Sequence, residues 1–330
     1  MKRFAFFFIA ALGFAAMQAQ SVVIFPKSGD SIVYKISDID HIEFLPTTPE
    51  GPSNPTEEVV VSEFPCMRDT LNIYGKLYRP ASVAADVALP TVVLSHSANL
   101  TADAMNAYAM AVAKEGYCAY AFDFCGACDE SRSDGSTNDM TPFTEVADLK
   151  AVIAAMKANP GVNPDKICLL GSSLGGFVSA LTAEDSTLSV AGLVLFYPAF
   201  NIPDLVAMMD QFGGGSGSGG GFGGFGGFGG MSYSEAFCSS MRDYDVYANI
   251  GTFSKDVLIL HGSNDMIVKI SYSEKAVETY PHATLITIDG ANHGFNADNL
   301  GSFGSIMGGS TDYDSVVIPH LLNYLNTHLK

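Results

Sequence analysis

The stretch ICLLGSSLGGFVSAL, residues 167–181, joins two apolar runs through serines set among glycines. The first run, with residues 166–170, is typical of a buried strand, and the second continues as a helix. Between them, GSSLG at residues 171–175 has the G-x-S-x-G pattern of a sharp strand-to-helix turn that exposes a serine hydroxyl. Ser172 competes for this position, but only Ser173 has the symmetric glycine flanks. We therefore expect Ser173 to be the exposed serine.

Short apolar runs alternate with helical stretches on both sides of this turn. The predicted strands are residues 59–64, 71–78, 91–95, 117–122, 166–170, 190–196, 257–261 and 284–288. The predicted helices are residues 102–115, 144–158, 174–183, 271–279 and 315–329. This alternation predicts an α/β domain over residues 58–330, with a mostly parallel central sheet covered by helices on both faces.

A long insertion follows the sixth predicted strand, where about 50 residues replace an ordinary short connection. We assign residues 198–252 to a cap or lid. Its middle, residues 213–230, reads GGGSGSGGGFGGFGGFGG, and the entropy lost on ordering so free a backbone predicts disorder. The flanks are rich in aromatic side chains and methionine. A lid over a cleft and a tolerated surface insertion are both compatible with this composition.

The first residues form a separate pattern that predicts export. Met1-Lys2-Arg3 precedes an apolar run at residues 4–17, as in a secretory signal peptide, which we place at residues 1–19. The run is too short to span a membrane, so no stable insertion is expected after cleavage. Residues 20–46 alternate like a short β-hairpin leader, and residues 47–57 form a proline-rich linker. The expected location is the bacterial periplasm or the extracellular space.

Composition excludes some classes of partner. The 330-residue chain is 48% apolar and carries a formal net charge of -18, which disfavours nucleic acid because its phosphates would be repelled. Its six cysteines are too few for a disulfide framework, and Cys118 and Cys168 lie in apolar runs typical of a core. Cys125 and Cys128 form a C-x-x-C without the context of a redox or zinc site; a local disulfide and two free thiols remain open. No metal or cofactor is predicted.

A serine hydroxyl becomes a nucleophile only when a base takes its proton, so an imidazole and a carboxylate must accompany Ser173. In this kind of strand order the acid and then the histidine follow the serine along the chain. Asp265 follows the predicted strand 257–261, and His293 follows the strand 284–288. Both lie at strand ends where ligands bind in open α/β sheets. We therefore predict a triad of Ser173, Asp265 and His293.

The same chemistry needs donors for the negative charge that develops on the substrate oxygen. One is expected from the backbone N–H of Leu174, at the positive end of its helix. The other should come from the loop after residues 91–95, where we nominate the N–H of Ala98. These two groups complete the predicted oxyanion hole.

Four motifs carry a resemblance to a known family: GSSLG at 171–175, HGSND at 261–265, NHGF at 292–295 and FDFCG at 122–126. From residue 59 to the C-terminus the chain resembles the α/β-hydrolases, closest to the small serine esterases of the cinnamoyl (feruloyl) and related acyl-esterase group. The resemblance implies the same triad. It departs at Ser97, where the family usually has glycine before the oxyanion residue, and the glycine tract is not a family feature.

Together these observations predict a secreted serine carboxylesterase that cleaves acyl esters through an acyl-enzyme intermediate. The apolar flanks of the insertion favour an uncharged acyl group; hydroxycinnamate esters, acetylated sugars and short lipid esters are all compatible. The expected partner is a small-molecule or carbohydrate-linked ester. A serine exopeptidase and a non-catalytic binding protein on the same fold remain as alternatives. The sequence does not predict an oligomeric state.

Overall fold

The computed structural model describes residues 58–211, 233–296 and 312–330, together with the backbone of two strands near the N-terminus. The predicted signal peptide, the linker at residues 47–57 and the glycine tract at residues 213–230 lie outside the described residues. The chain divides into two units, Met1–Ser53 and Asn54–Lys330. In the first unit, strands β1 (Ser21–Ile24) and β2 (Ile32–Lys35) pair in antiparallel.

The second unit alternates strands and helices along most of its length. Its strands are β3 (Val59–Glu63), β4 (Cys66–Arg68), β5 (Leu71–Ile73), β6 (Gly75–Pro80), β7 (Leu89–Ser95), β8 (Cys118–Phe122), β9 (Val162–Ser172), β10 (Gly192–Phe196), β11 (Val257–Gly262) and β12 (Ala283–Ile288). Its helices are α1 (Asn106–Lys114), α2 (Pro142–Ala158), α3 (Leu174–Ala183), α4 (Ile202–Gln211), α5 (Glu235–Met241), α6 (Ser271–Thr279) and α7 (Asp314–His328).

Eight strands form one sheet in the order β12-β11-β10-β9-β7-β8-β6-β3. Strand β6 runs antiparallel to both β3 and β8, and all other neighbours in this sheet are parallel. The register aligns the carboxyl ends of the central strands, because Gly171 lies opposite Ser95 and Ser172 lies opposite Phe196. The loops that leave β7, β9 and β10 therefore begin side by side at one edge of the sheet.

Helices cover both faces of this sheet, and each face has its own apolar core. One core packs side chains of α2 and α3 against alternate residues of the strands, including Val93, Leu169 and Leu195. The other packs α1 and α7 against the intervening residues, including Leu94 and Leu170. Because successive side chains of a strand point to opposite faces, the continuous apolar runs of the sequence supply both cores.

Two of the predicted elements are divided in the structure. The run at residues 71–78 is divided, because the N–H of Tyr74 donates to Ser133 Oγ and not to a strand partner. Its first part, β5, pairs with β4, and its second part, β6, pairs with β3. The predicted helix at 102–115 begins as a 3-10 turn over Ala102–Met105, ahead of α1.

All six cysteines are free thiols. The structure thus has the free-thiol arrangement at Cys125 and Cys128, one of the two alternatives that the sequence left open. Burial raises the pKa of the Cys125 thiol to about 12, so it is a poor nucleophile. Cys118 and Cys168 are fully buried in the core, as predicted. In the part of the chain that the structure describes, no helix is both long and apolar enough to cross a membrane.

Candidate active site

Ser173 occupies the sharp turn between β9 and α3 with a backbone φ of 51° and ψ of -116°. A non-glycine residue with positive φ is strained, and such strain is held only where packing determines it. The flanking glycines allow this packing. A β-carbon on Gly171 would lie 2.2 Å from the carbonyl oxygen of Gly175, and one on Gly175 would lie 2.4 Å from the carbonyl oxygens of Ser95 and His96. No side chain fits at either position.

The structure brings Ser173, His293 and Asp265 together. His293 Nε2 lies 3.0 Å from Ser173 Oγ, and His293 Nδ1 lies 2.7 Å from Asp265 Oδ2. The three residues are 7–8% exposed, so the triad is largely shielded from solvent. An Nδ1–H held by a carboxylate leaves Nε2 as the acceptor, which is the tautomer that can take the serine proton.

The surroundings of Asp265 keep it ionised. Its Oδ1 accepts hydrogen bonds from the backbone N–H groups of Ile267 and Val268, at 2.9 and 2.8 Å. Burial acts to raise the pKa of Asp265, but its interactions with His293 and His261 outweigh burial and hold the pKa well below its usual range. The carboxylate is therefore available to orient His293 and to stabilise its charged form.

His261 is a second histidine on the catalytic carboxylate. It is fully buried, and its Nε2 lies 3.2 Å from Asp265 Oδ2 and 2.8 Å from the carbonyl oxygen of Val268. Because Nε2 faces two acceptors it carries a proton, and Nδ1 lies 2.7 Å from the hydroxyl of Ser273 on α6. The sequence analysis used His261 only as part of a motif. The sequence places His261 four residues before the acid, at the end of β11, but it does not show that the two side chains are in contact.

The two predicted oxyanion donors flank the nucleophile turn. Leu174 is the first residue of α3, so its N–H has no partner within the helix. Ala98 lies in the loop after β7, where the backbone is fixed by His96. His96 Nε2 accepts the N–H of Phe124 at 3.1 Å, so its Nδ1 carries the proton and donates to the carbonyl of Ser97 at 2.8 Å. Burial lowers the pKa of His96, which keeps the ring neutral.

A cleft of about 640 Å³ lies between α4, α6 and residues 243–247, and its lining includes none of the three triad residues. Its walls combine tyrosine rings with the carboxylates of Asp204, Asp243 and Asp245. Tyr272 donates to Asp204 at 2.6 Å, which ties α6 to α4. Within the described residues, no group of three or more His, Cys, Asp or Glu side chains is arranged to hold a metal ion.

The strand order, the two helix layers and the strained serine turn are those of the α/β-hydrolase fold, which confirms the predicted fold class. Residues 88–215 match the family model described as serine aminopeptidase, S33. A search of curated proteins gives no match.

Solved structures similar to this chain share its fold at low sequence identity. Est1E from Butyrivibrio proteoclasticus with bound ferulic acid has 19% identity and a TM-score of 0.64, covering 80% of this chain and 98% of its own. The α/β-hydrolase GrgF from Penicillium has 18% identity and a TM-score of 0.61, covering 82% and 99%. An esterase of Pyrococcus furiosus has 19% identity and a TM-score of 0.57, covering 83% and 92%. These likenesses concern the fold.

Proposed function

We propose that this protein is a serine carboxylesterase that cleaves acyl esters through a Ser173–His293–Asp265 triad. The observation that carries the proposal is the continuous chain of contacts from Ser173 Oγ through His293 to Asp265, at 3.0 and 2.7 Å. Those distances fit the hydrogen-bonded order of nucleophile, base and orienting acid that serine hydrolases need. The esterase among the similar structures supports the same class of reaction.

The geometry suits a two-step acyl transfer. His293 Nε2 takes the proton of Ser173 as the oxygen attacks the ester carbonyl, and Asp265 stabilises the imidazolium that forms. The N–H groups of Leu174 and Ala98 bind the oxygen of the tetrahedral intermediate. His293 then protonates the leaving alcohol, which leaves an acyl-enzyme on Ser173. A water molecule deprotonated by His293 releases the acid and restores the serine.

For substrate, we propose uncharged acyl groups that include aromatic ones. Ferulic acid is bound in Est1E, and α4 and α5, which flank the glycine tract in the sequence, carry apolar side chains. Hydroxycinnamoyl, acetyl and short lipid esters are the classes to compare. We also propose export, based on the signal-peptide pattern of residues 1–19.

The test is an ester panel that varies acyl length and aromaticity, measured on the purified wild type and on Ser173→Ala. Ester hydrolysis that disappears in Ser173→Ala, together with fluorophosphonate labelling at Ser173, is the expected result. The Ser172→Ala protein should still be labelled, because it removes the neighbouring serine and leaves Ser173 in place; the matched control for activity is Ser179→Ala, which removes a buried hydroxyl near the same turn. A wild type that neither turns over any ester nor reacts with the probe would instead indicate a non-catalytic binding protein.

A serine exopeptidase is the second candidate, and two observations favour it. The matching family model is described as a serine aminopeptidase, and the cleft beside α6 is lined by three carboxylates against one ammonium, that of Lys275, which leaves a net negative charge that would attract a protonated amine. Aminoacyl-naphthylamides distinguish the two reactions. Turnover of these amides that exceeds turnover of the corresponding esters would assign the protein to the peptidases.

A further inference from the structure

Two serine hydroxyls that the proposed chemistry does not use lie in contact behind the nucleophile. Ser97 Oγ and Ser172 Oγ are 2.9 Å apart, and the two residues are 6% and 0% exposed. Ser172 immediately precedes the nucleophile at the end of β9. Ser97 immediately precedes Ala98, the nominated oxyanion donor, in the loop after β7. One hydrogen bond thus joins the two backbone segments that must meet around the substrate oxygen.

The Ser97 residue is fixed at two points. Its carbonyl accepts the proton of His96 Nδ1, and its hydroxyl contacts Ser172. Ser172 Oγ also lies 3.6 Å from Met105 Sδ, which is a weak acceptor, so Ser172 can donate to the sulfur while Ser97 donates to Ser172. With both its carbonyl and its side chain held, Ser97 has little freedom to rotate. The direction of the next N–H is then set by this contact.

Tyr197 closes the space around the hydroxyl pair. It is fully buried at the end of β10 with a φ of 37°, and its ring centroid lies 4.7 Å from that of His293. Its hydroxyl has no hydrogen-bond partner among the described residues, and burial raises its pKa despite the nearby hydroxyls of Ser172 and Ser97. Excluding water in this way strengthens the Ser97–Ser172 bond, because no solvent competes for it.

Resting on the proposed esterase function, we propose that the Ser97–Ser172 hydrogen bond is a positioning device for the oxyanion hole. Ser97 and Ser172 act through the backbone of Ala98 and Ser173 and touch no substrate atom. The esterase family that the sequence resembles usually has glycine at the position of Ser97. A glycine there has no side chain, so it cannot form this hydrogen bond. Its contribution should appear in the transition state, where the oxyanion forms, and not in ground-state binding.

The test is a double-mutant cycle of Ser97→Ala, Ser172→Ala and the double variant, with kcat and KM measured on p-nitrophenyl butyrate. Each single variant should lower kcat by about fivefold to tenfold, the rate equivalent of one neutral hydrogen bond, with KM unchanged. The double variant should lose no more than either single variant, because all three remove the same contact. Affinity for an alkylboronic acid, which forms a tetrahedral adduct with the serine, should fall in parallel with kcat. Ser97→Thr, which keeps the hydroxyl, should retain most of the wild-type kcat.

Ser179→Ala is the control, since Ser179 Oγ is buried beside Gly171 and has no hydrogen-bond partner in the part of the chain that the structure describes. It should leave kcat unchanged. If Ser97→Ala fails to fold, Ser97→Gly makes the same test with the residue usual in the related esterases. Wild-type kcat in Ser97→Ala or Ser97→Gly, or losses that add in the double variant, would overturn the positioning role. A wild type without Ser173-dependent ester turnover would refute the proposed function and with it this inference, so the two failures are distinguishable.

Discussion

The turn that holds Ser173 and the loop after β7 that holds Ala98 are packed backbone against backbone at Gly175. Replacing Gly175 with alanine tests whether these two segments lie at the closest distance that backbone atoms allow. The new β-carbon would lie 2.4 Å from the carbonyl oxygens of Ser95 and His96. Both oxygens belong to the backbone at the end of β7, so no side-chain rotation can relieve the overlap. Since ordinary contact begins at 3.4 Å, the two segments must separate by about 1 Å.

This separation acts directly on the oxyanion hole, because Leu174 and Ala98 belong to the two segments that move apart. A misplacement of about 1 Å costs on the order of 100-fold in rate, or about 2.7 kcal/mol of transition-state stabilisation. The cost to folding is smaller. Overpacking destabilises by about 1–3 kcal/mol, and the higher helix propensity of alanine returns about 1 kcal/mol of this. Activity should therefore fall much more than stability.

The neighbouring glycine supplies a matched control. A β-carbon on Gly176 would lie 3.0 Å from the carbonyl oxygen of Gly171 and 3.1 Å from Pro198, which requires a shift of only a few tenths of an ångström. The assay compares kcat/KM on p-nitrophenyl butyrate and the melting temperature for wild type, Gly175→Ala and Gly176→Ala. Wild-type kcat/KM in Gly175→Ala, or an equal loss in both variants, would refute the reasoning.

Three further predictions test the ionisable side chains of Asp265, His261 and Glu145. Asp265→Asn should lower kcat by about 10⁴-fold, because the amide favours the wrong tautomer of His293; a loss below tenfold in steady-state kinetics would contradict the assigned role. His261→Gln should lower kcat by about tenfold to 100-fold, the rate equivalent of one hydrogen bond to a charged group, and a change in melting temperature without a change in kcat would show that His261 serves folding only. Glu145 is fully buried, and burial followed by the nearby Asp148 charge raises its pKa well above 4.5. Above pH 4.5 the unfolded state loses the Glu145 proton while the folded state keeps it, so the stability of the protein falls as pH rises above 4.5. The melting temperature of Glu145→Gln should therefore fall less between about pH 5 and 8 than that of the wild type. Equal losses in calorimetric scans of both proteins would contradict this.

Local signals in the sequence were enough to predict much of the fold. The bounds of α3 and α6 agree with the predicted helices at residues 174–183 and 271–279. Apolar runs located β9, β10, β11 and β12 to within a few residues, apart from an N-terminal extension of β9. These elements form because each run must bury its side chains, and that requirement is readable residue by residue.

The sequence did not show where one apolar run becomes two strands. Residues 71–78 have a continuous pattern, yet the contact of Tyr74 with Ser133 divides them. That contact joins residues 59 positions apart, and no local pattern contains it. The role of His261 on Asp265 was missed for a related reason, since a histidine inside an apolar strand gives no local indication of which groups it contacts.

The class of fold and the candidates Ser173, Asp265 and His293 could be read from the sequence, because turn chemistry, apolar periodicity and chain order are local properties. The contacts of His293 with Ser173, 120 residues apart, and of Ser97 with Ser172, 75 residues apart, became visible in the folded chain. Such contacts depend on the register of parallel strands, where a displacement of one residue would turn each side chain to the opposite face. The sheet's register therefore decided which hydroxyls, rings and carboxylates lie within hydrogen-bonding distance.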